Sequence, residues 1–188
     1  SAYAVTQITQ ILRKGVDSER INIKMTSEYT TADLANNHRV YLGYLSGLNE
    51  LYNLMFAGSG LAIGSTYDEL SNLNTGEYYV SSSGLSGADS YKDYGMLATF
   101  PSPNGYQVTM IAGMRDESLN SIVQQVANKA VLTEIKTSLD LDQDSSVAES
   151  SFEALFEVNG FDNTNFNSEL IYTQSRDPAA VERLFGGN

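Results

Sequence analysis

Tyr94-Gly-Met-Leu-Ala-Thr-Phe-Pro101, Ser102-Pro-Asn-Gly105 and Tyr106-Gln-Val-Thr-Met-Ile-Ala-Gly113 form one uninterrupted passage, and its reading decides the fold. The two outer pieces are apolar and of strand length. The four residues between them preset a tight turn, because Pro fixes φ and Asn-Gly accepts φ above zero. A β-hairpin is therefore predicted. Met114-Arg115-Asp116-Glu117-Ser118 follows with helix-start chemistry, and Leu119, Ile122, Val123, Val126, Ala130, Val131, Ile135 and Leu139 recur at helical spacing. One long helix with an apolar face is expected there.

Working back toward the start, Val5, Ile8, Ile11, Leu12 and Val16 share one helical face and predict a short amphipathic helix. Arg20-Ile-Asn-Ile-Lys-Met-Thr26 alternates polar and apolar residues, the period of a half-buried strand. Thr30-Thr31-Ala-Asp33 is a helix-initiating cluster, and Val40-Tyr-Leu-Gly-Tyr-Leu45 is the nearly continuous apolar run of a strand covered on both faces. Ser46-Gly47-Leu48-Asn49-Glu50 then opens a helical segment, so strand, turn and helix make a parallel βα unit. Leu61–Ser65 reads as a short strand. From Tyr67 to Lys92 the pattern dissolves into Asn, Ser, Gly and Tyr, with Tyr78-Tyr-Val80 as a brief strand inside a long excursion. That excursion is read either as a lid or as a loop packing its own aromatics.

Beyond the long helix, Phe152, Ala154, Phe156 and Val158 alternate with Glu153 and Glu157, and Ser168–Thr173 returns as a strand. An antiparallel hairpin at the sheet edge is expected, with its glutamates facing water. The fold class is α/β: a three-layer sandwich with a mixed, partly parallel sheet and antiparallel hairpins. Residues 1–176 are expected to form a single domain, with 177–188 as a C-terminal tail.

The chain has 188 residues, 41% of them apolar, which suits one domain with its own core. Its 23 acidic residues outweigh 11 basic ones for a net charge of −12, which disfavours direct contact with nucleic acid or an anionic membrane surface. Cysteine is absent, so disulfides, thiolate nucleophiles and Cys-bearing zinc sites are excluded. No run approaches the ~18 apolar residues of a membrane span. The chain begins without Met, and the expectation is that it continues a longer protein.

Two turns lie between a strand and a helix, and if their strands run parallel both fall on the carboxyl edge of the sheet, where open α/β folds bind ligands. Ser46, Gly47 and Asn49 of the first turn and Gly113, Arg115, Asp116 and Ser118 of the second are the candidate ligand-binding residues. Helix starts offer free N–H groups, and Arg115 adds a planar cation suited to a small anionic ligand. The alternative is that Asn49, Asp116 and Ser118 only cap helices while Arg115 pairs with Asp116 or Glu117. Asp140, Asp142 and Asp144 have the spacing of a calcium loop, but Ser145 stands where Gly is needed and Ser151 where Glu is needed. A solvated linker fits better. His38 is the only histidine and no serine elbow accompanies it, so neither a zinc site nor a serine triad is expected. No catalytic residue, metal or cofactor is assigned.

The string Ser27–Asn49, with Asp93-Tyr-Gly, Pro103-Asn-Gly, Ile111-Ala-Gly-Met-Arg115 and Phe152–Val158, resembles the C-terminal soluble domain of a family of uncharacterised bacterial proteins. Members often carry an N-terminal winged-helix DNA-binding domain and a membrane span ahead of it. The resemblance implies a non-catalytic sensory or effector module of a bacterial regulator. It would be extracytoplasmic (periplasmic) if a span precedes it and cytoplasmic otherwise. It would neither touch nucleic acid nor insert in a membrane itself, and a homodimer is an open alternative. Two other functions stay open: a carboxylate-dependent hydrolase and a structural self-assembly domain.

Overall fold

A computed structural model describes residues 1–84, 89–142, 144, 146–162 and 164–184. Its centre is a five-stranded sheet of β1 (Arg39–Tyr44), β5 (Ser90–Pro101), β6 (Gln107–Gly113), β7 (Phe152–Phe161) and β8 (Thr164–Ser175). The strand order is β1-β6-β5-β7-β8. β1 runs parallel to β6, and every other neighbouring pair is antiparallel, so the sheet is mixed. The β5–β6 hairpin turns where the residue types require: Asn104 and Gly105 have φ of 74° and 76°.

One face of this sheet carries α1 (Ala2–Leu12), α4 (Asp116–Gln125) and α5 (Lys129–Ser138). Ala4 and Ile8 of α1, Leu119, Ile122 and Val123 of α4, and Ile135 of α5 pack on Leu97, Ile111, Phe152, Ala154 and Phe156. The other face carries α3 (Tyr52–Met55), α6 (Ala180–Leu184) and a second, three-stranded sheet of β2 (Leu61–Ile63), β3 (Glu69–Asn72) and β4 (Tyr78–Val80). Leu54, Met55, Leu61, Leu70, Tyr79 and Val181 pack there on Met96, Ala98, Phe100 and Met110. Two apolar cores thus sandwich the central sheet, which explains why Tyr94–Pro101 of β5 reads as an apolar run.

Two glycines set the distance between α4 and the sheet. Gly95 and Gly113 face each other in the β5–β6 register. A Cβ on Gly95 would lie 2.3 Å from Ile122 Cγ1, and one on Gly113 would lie 2.5 Å from the Leu119 amide nitrogen. Only residues without a side chain let α4 lie so close.

Four expectations are corrected. Arg20–Thr26 is not a strand: it runs between short 3₁₀ turns at Ser18–Arg20 and Thr26–Glu28, without a ladder partner, and leaves Ile23 and Met25 62% and 70% exposed. Anchors off any sheet hold this strap, since Lys24 reaches Asp33 of α2 (Thr31–Asn36) and Glu28 accepts from the Met25 N–H. The long helix is two helices, because the Asn128 side chain accepts from the Ala130 N–H and starts α5 anew. The Tyr67–Lys92 excursion contributes β3, which is not expected, and the expected strand at Tyr78–Val80 to the second sheet, with Leu70 and Tyr79 buried and the Tyr79 ring 5.7 Å from Tyr94. Finally, β7 is flanked on both sides, and Glu153 is wholly buried instead of facing water. Within the expected 177–188 tail, α6 docks through Ala180 and Val181, and 185–188 lie outside the described residues.

Candidate functional site

The parallel pairing of β1 with β6 places Tyr44 opposite Gly113, so the two strand-to-helix turns do meet on one rim. What fills that rim is the protein itself. The Tyr44 hydroxyl donates to Asp116 Oδ1 at 2.6 Å, and that carboxylate pushes the phenol up to about 12. Arg115 pairs with Asp68, which the β2–β3 connection brings across, and with neither Asp116 nor Glu117. Glu117 accepts from Ser83 Oγ at 2.7 Å. At the start of α4, the Ser118 N–H donates to Asp93 Oδ2 at 2.9 Å, and the Ser118 hydroxyl turns back to the Arg115 carbonyl. Asp93 on β5 is fully buried, also accepts from Ser81 Oγ at 2.8 Å, and has its carboxyl raised chiefly by burial. The anion that a helix start attracts is therefore built in.

On the first turn, Ser46 and Asn49 are exposed. Asn49 has a left-handed φ of 45°, and its Nδ2 donates to the Gly47 carbonyl at 3.3 Å. Gly47 leaves room for Tyr41, whose hydroxyl donates to the Tyr44 carbonyl at 2.6 Å.

A cavity of about 250 Å³ opens elsewhere, between the strap and β1. Arg20, Asn22, Lys24, Met25 and Thr26 form its strap wall, and His38, Arg39, Val40 and Leu42 form its β1 wall. Tyr29, Tyr41, Leu51 and Met55 add aromatic and apolar lining. None of the seven rim candidates lines it. Within the groove, Lys24 Nζ lies 2.8 and 3.0 Å from the two oxygens of Asp33, and Arg39 Nη1 donates to the Tyr29 hydroxyl at 3.3 Å. The Lys24 ammonium, followed by Thr30, holds the Asp33 carboxyl down at about 2. His38 Nδ1 accepts from the Gln107 N–H at 3.1 Å, and its ring stands edge-on to Tyr106 at 5.3 Å. Three of the chain's eleven Lys and Arg side chains line the groove with one carboxylate, in a molecule of net charge −12. One of those three cations, Lys24, is the partner of that carboxylate, which leaves the charges of Arg20 and Arg39 in the lining.

The second buried constellation surrounds Glu153. Its carboxylate accepts from Ser59 Oγ at 2.5 Å, the Gly60 N–H at 2.7 Å and the Tyr172 hydroxyl at 2.9 Å. Arg176, also fully buried, places Nε 3.9 Å from Glu153 Oε2, donates through Nη2 to the Ala57 carbonyl and stacks 4.2 Å over the Phe100 ring. Burial pulls its guanidinium down to about 10, so it remains a cation at neutral pH. This cluster stitches the residues before β2 to β7 and the end of β8. Its sequence signal is one of two glutamates that alternate with apolar residues along β7, and alternation alone assigns both to solvent. Among the described residues no group of three His, Asp or Glu side chains is arranged to hold a metal ion, and no helix is long and apolar enough to cross a membrane.

Compared with family models, curated proteins and solved structures, the chain finds no significant match.

Proposed function

We propose that this chain is a non-catalytic sensory or effector domain, and that its working site is the cationic groove between the strap and β1, which takes a ligand carrying carboxylate or a comparable anion. The observation behind this reading is the groove itself: Arg20 and Arg39, together with the Lys24–Asp33 pair, line a 250 Å³ space in an acidic chain. The rim of Ser46, Gly47, Asn49, Gly113, Arg115, Asp116 and Ser118 is the lesser candidate, since Arg115 and the α4 start already hold Asp68 and Asp93. The groove offers Arg for planar, two-point recognition of an anion and Met25, Val40, Leu42 and Met55 for an apolar body. A regulatory setting in a bacterial protein is part of the proposal and rests on the sequence resemblance.

The test is a thermal-shift and calorimetric screen with succinate, citrate and inorganic phosphate. A ligand that favours the folded chain raises its Tm, by about 2.7 kcal/mol of stability at a hundredfold excess over Kd. Saturable binding that weakens at least tenfold in Arg20→Glu supports the groove. Binding that this variant leaves intact, or no response to any anion, overturns it.

A further inference from the structure

We propose that the groove is an acceptor for an extended acidic peptide, which adds as a sixth strand along the open edge of β1. This inference rests on the reading of the groove as an anion site and names the class of partner. Three observations carry it.

First, β1 stands at the end of the strand order and has β6 as its one neighbour among the described residues. A terminal strand directs alternate main-chain N–H and C=O groups outward, a ready template for a further strand. Second, the groove lies on that edge. Arg39, Val40, Tyr41 and Leu42 of β1 all line it, and Val40 leaves 40% of its surface exposed beside exposed Ile23 and Met25 of the strap. Main-chain pairing supplies affinity in such additions, while side-chain pockets on either side supply selectivity.

Third, charge decides the occupant. Arg20-Ile-Asn-Ile-Lys-Met-Thr26 has the alternation of a strand and lies alongside, so it is the obvious candidate to close onto β1, in the same molecule or in a second copy. Closure would press Arg20 toward Arg39, and like charges across a strand pair are destabilising. A strand bearing glutamate or aspartate at alternate positions meets those same cations favourably and presents apolar residues to Val40 and Met25. The Lys24–Asp33 pair sets the strap as the outer wall of the slot.

The experiment uses the full chain and a seven-residue peptide alternating glutamate and valine. Its controls are the same peptide N-methylated at alternate amides, a lysine–valine counterpart and free succinate, all measured by fluorescence anisotropy or by competition. Expected are a Kd at least tenfold tighter for the acidic peptide than for either control peptide and new hydrogen-exchange protection confined to residues 39–44. Equal binding of the N-methylated peptide, equal binding of the lysine peptide, or a concentration-dependent dimer that blocks the site each overturns strand addition. If succinate binds the groove while the acidic peptide does not, strand addition fails and the anion reading stands. If neither binds, both fail.

Discussion

Gly113 shows how much a single position decides. A methyl group there would meet the Leu119 amide nitrogen at 2.5 Å, a main-chain atom that cannot rotate away, so Gly113→Ala must push α4 off the sheet. Overpacking of this kind costs about 1–3 kcal/mol, and the variant is expected to lose that much stability in urea unfolding without losing the fold. Glu153 is the electrostatic counterpart. Removing its charge leaves Arg176 buried without an anion, a change of about 3–5 kcal/mol when one partner of a buried pair is deleted. Glu153→Ala is expected to unfold at clearly lower denaturant than the double variant Glu153→Ala with Arg176→Met, because the second change removes the stranded cation. Equal midpoints would mean that the stranded Arg176 cation costs nothing. Neither residue was legible for its role. Gly113 read as part of a ligand turn, and Glu153 read as solvent-facing because period-two alternation cannot register a second layer on the far side of a sheet.

At the level of elements, the Tyr94–Gly113 hairpin was fully legible, since Pro, Asn and Gly impose the turn from their own backbone preferences. The helix after it was legible as an apolar face but not as two pieces. Asn128 caps α5 by accepting from Ala130 N–H at 3.0 Å, and Asn128→Ala is expected to cost about 1 kcal/mol, read as a lowered Tm. The strap is the clearest failure of pattern reading: alternation is necessary for a half-buried strand, but a ladder partner is needed too, and Lys24 is committed to Asp33. That commitment has a pH signature. The folded-state pKa of Asp33 is lowered from 3.8 to about 2, so its contribution is present above pH 3.8 and lost as pH falls toward 2. In carboxyl-carbon NMR, Asp33 should titrate near 2 in the native chain and move up toward 3.8 in Lys24→Met. An unchanged midpoint would show that Lys24 does not hold it.

Across the whole molecule, three layers follow from the sequence because each element shows an apolar face, and the mixed sheet follows from one parallel βα unit joined to hairpins. The meeting of the two turns on one rim was legible for the same reason, as the parallel pairing of Tyr44 with Gly113 shows. The occupants of that rim were not, because Asp68 and Asp93 arrive from strands and loops distant in the chain, a placement that only the assembled fold dictates. The groove is illegible in the sequence for a related reason: its cations are scattered over residues 20, 24 and 39 and converge only when the strap folds back along β1. The measurement that tests this account most directly is an amide-resolved NMR titration of the full chain with succinate. Chemical-shift changes should concentrate on residues 20–26 and 37–42 and saturate. Changes centred on 46–49 and 113–118, or no saturable change at all, would contradict it.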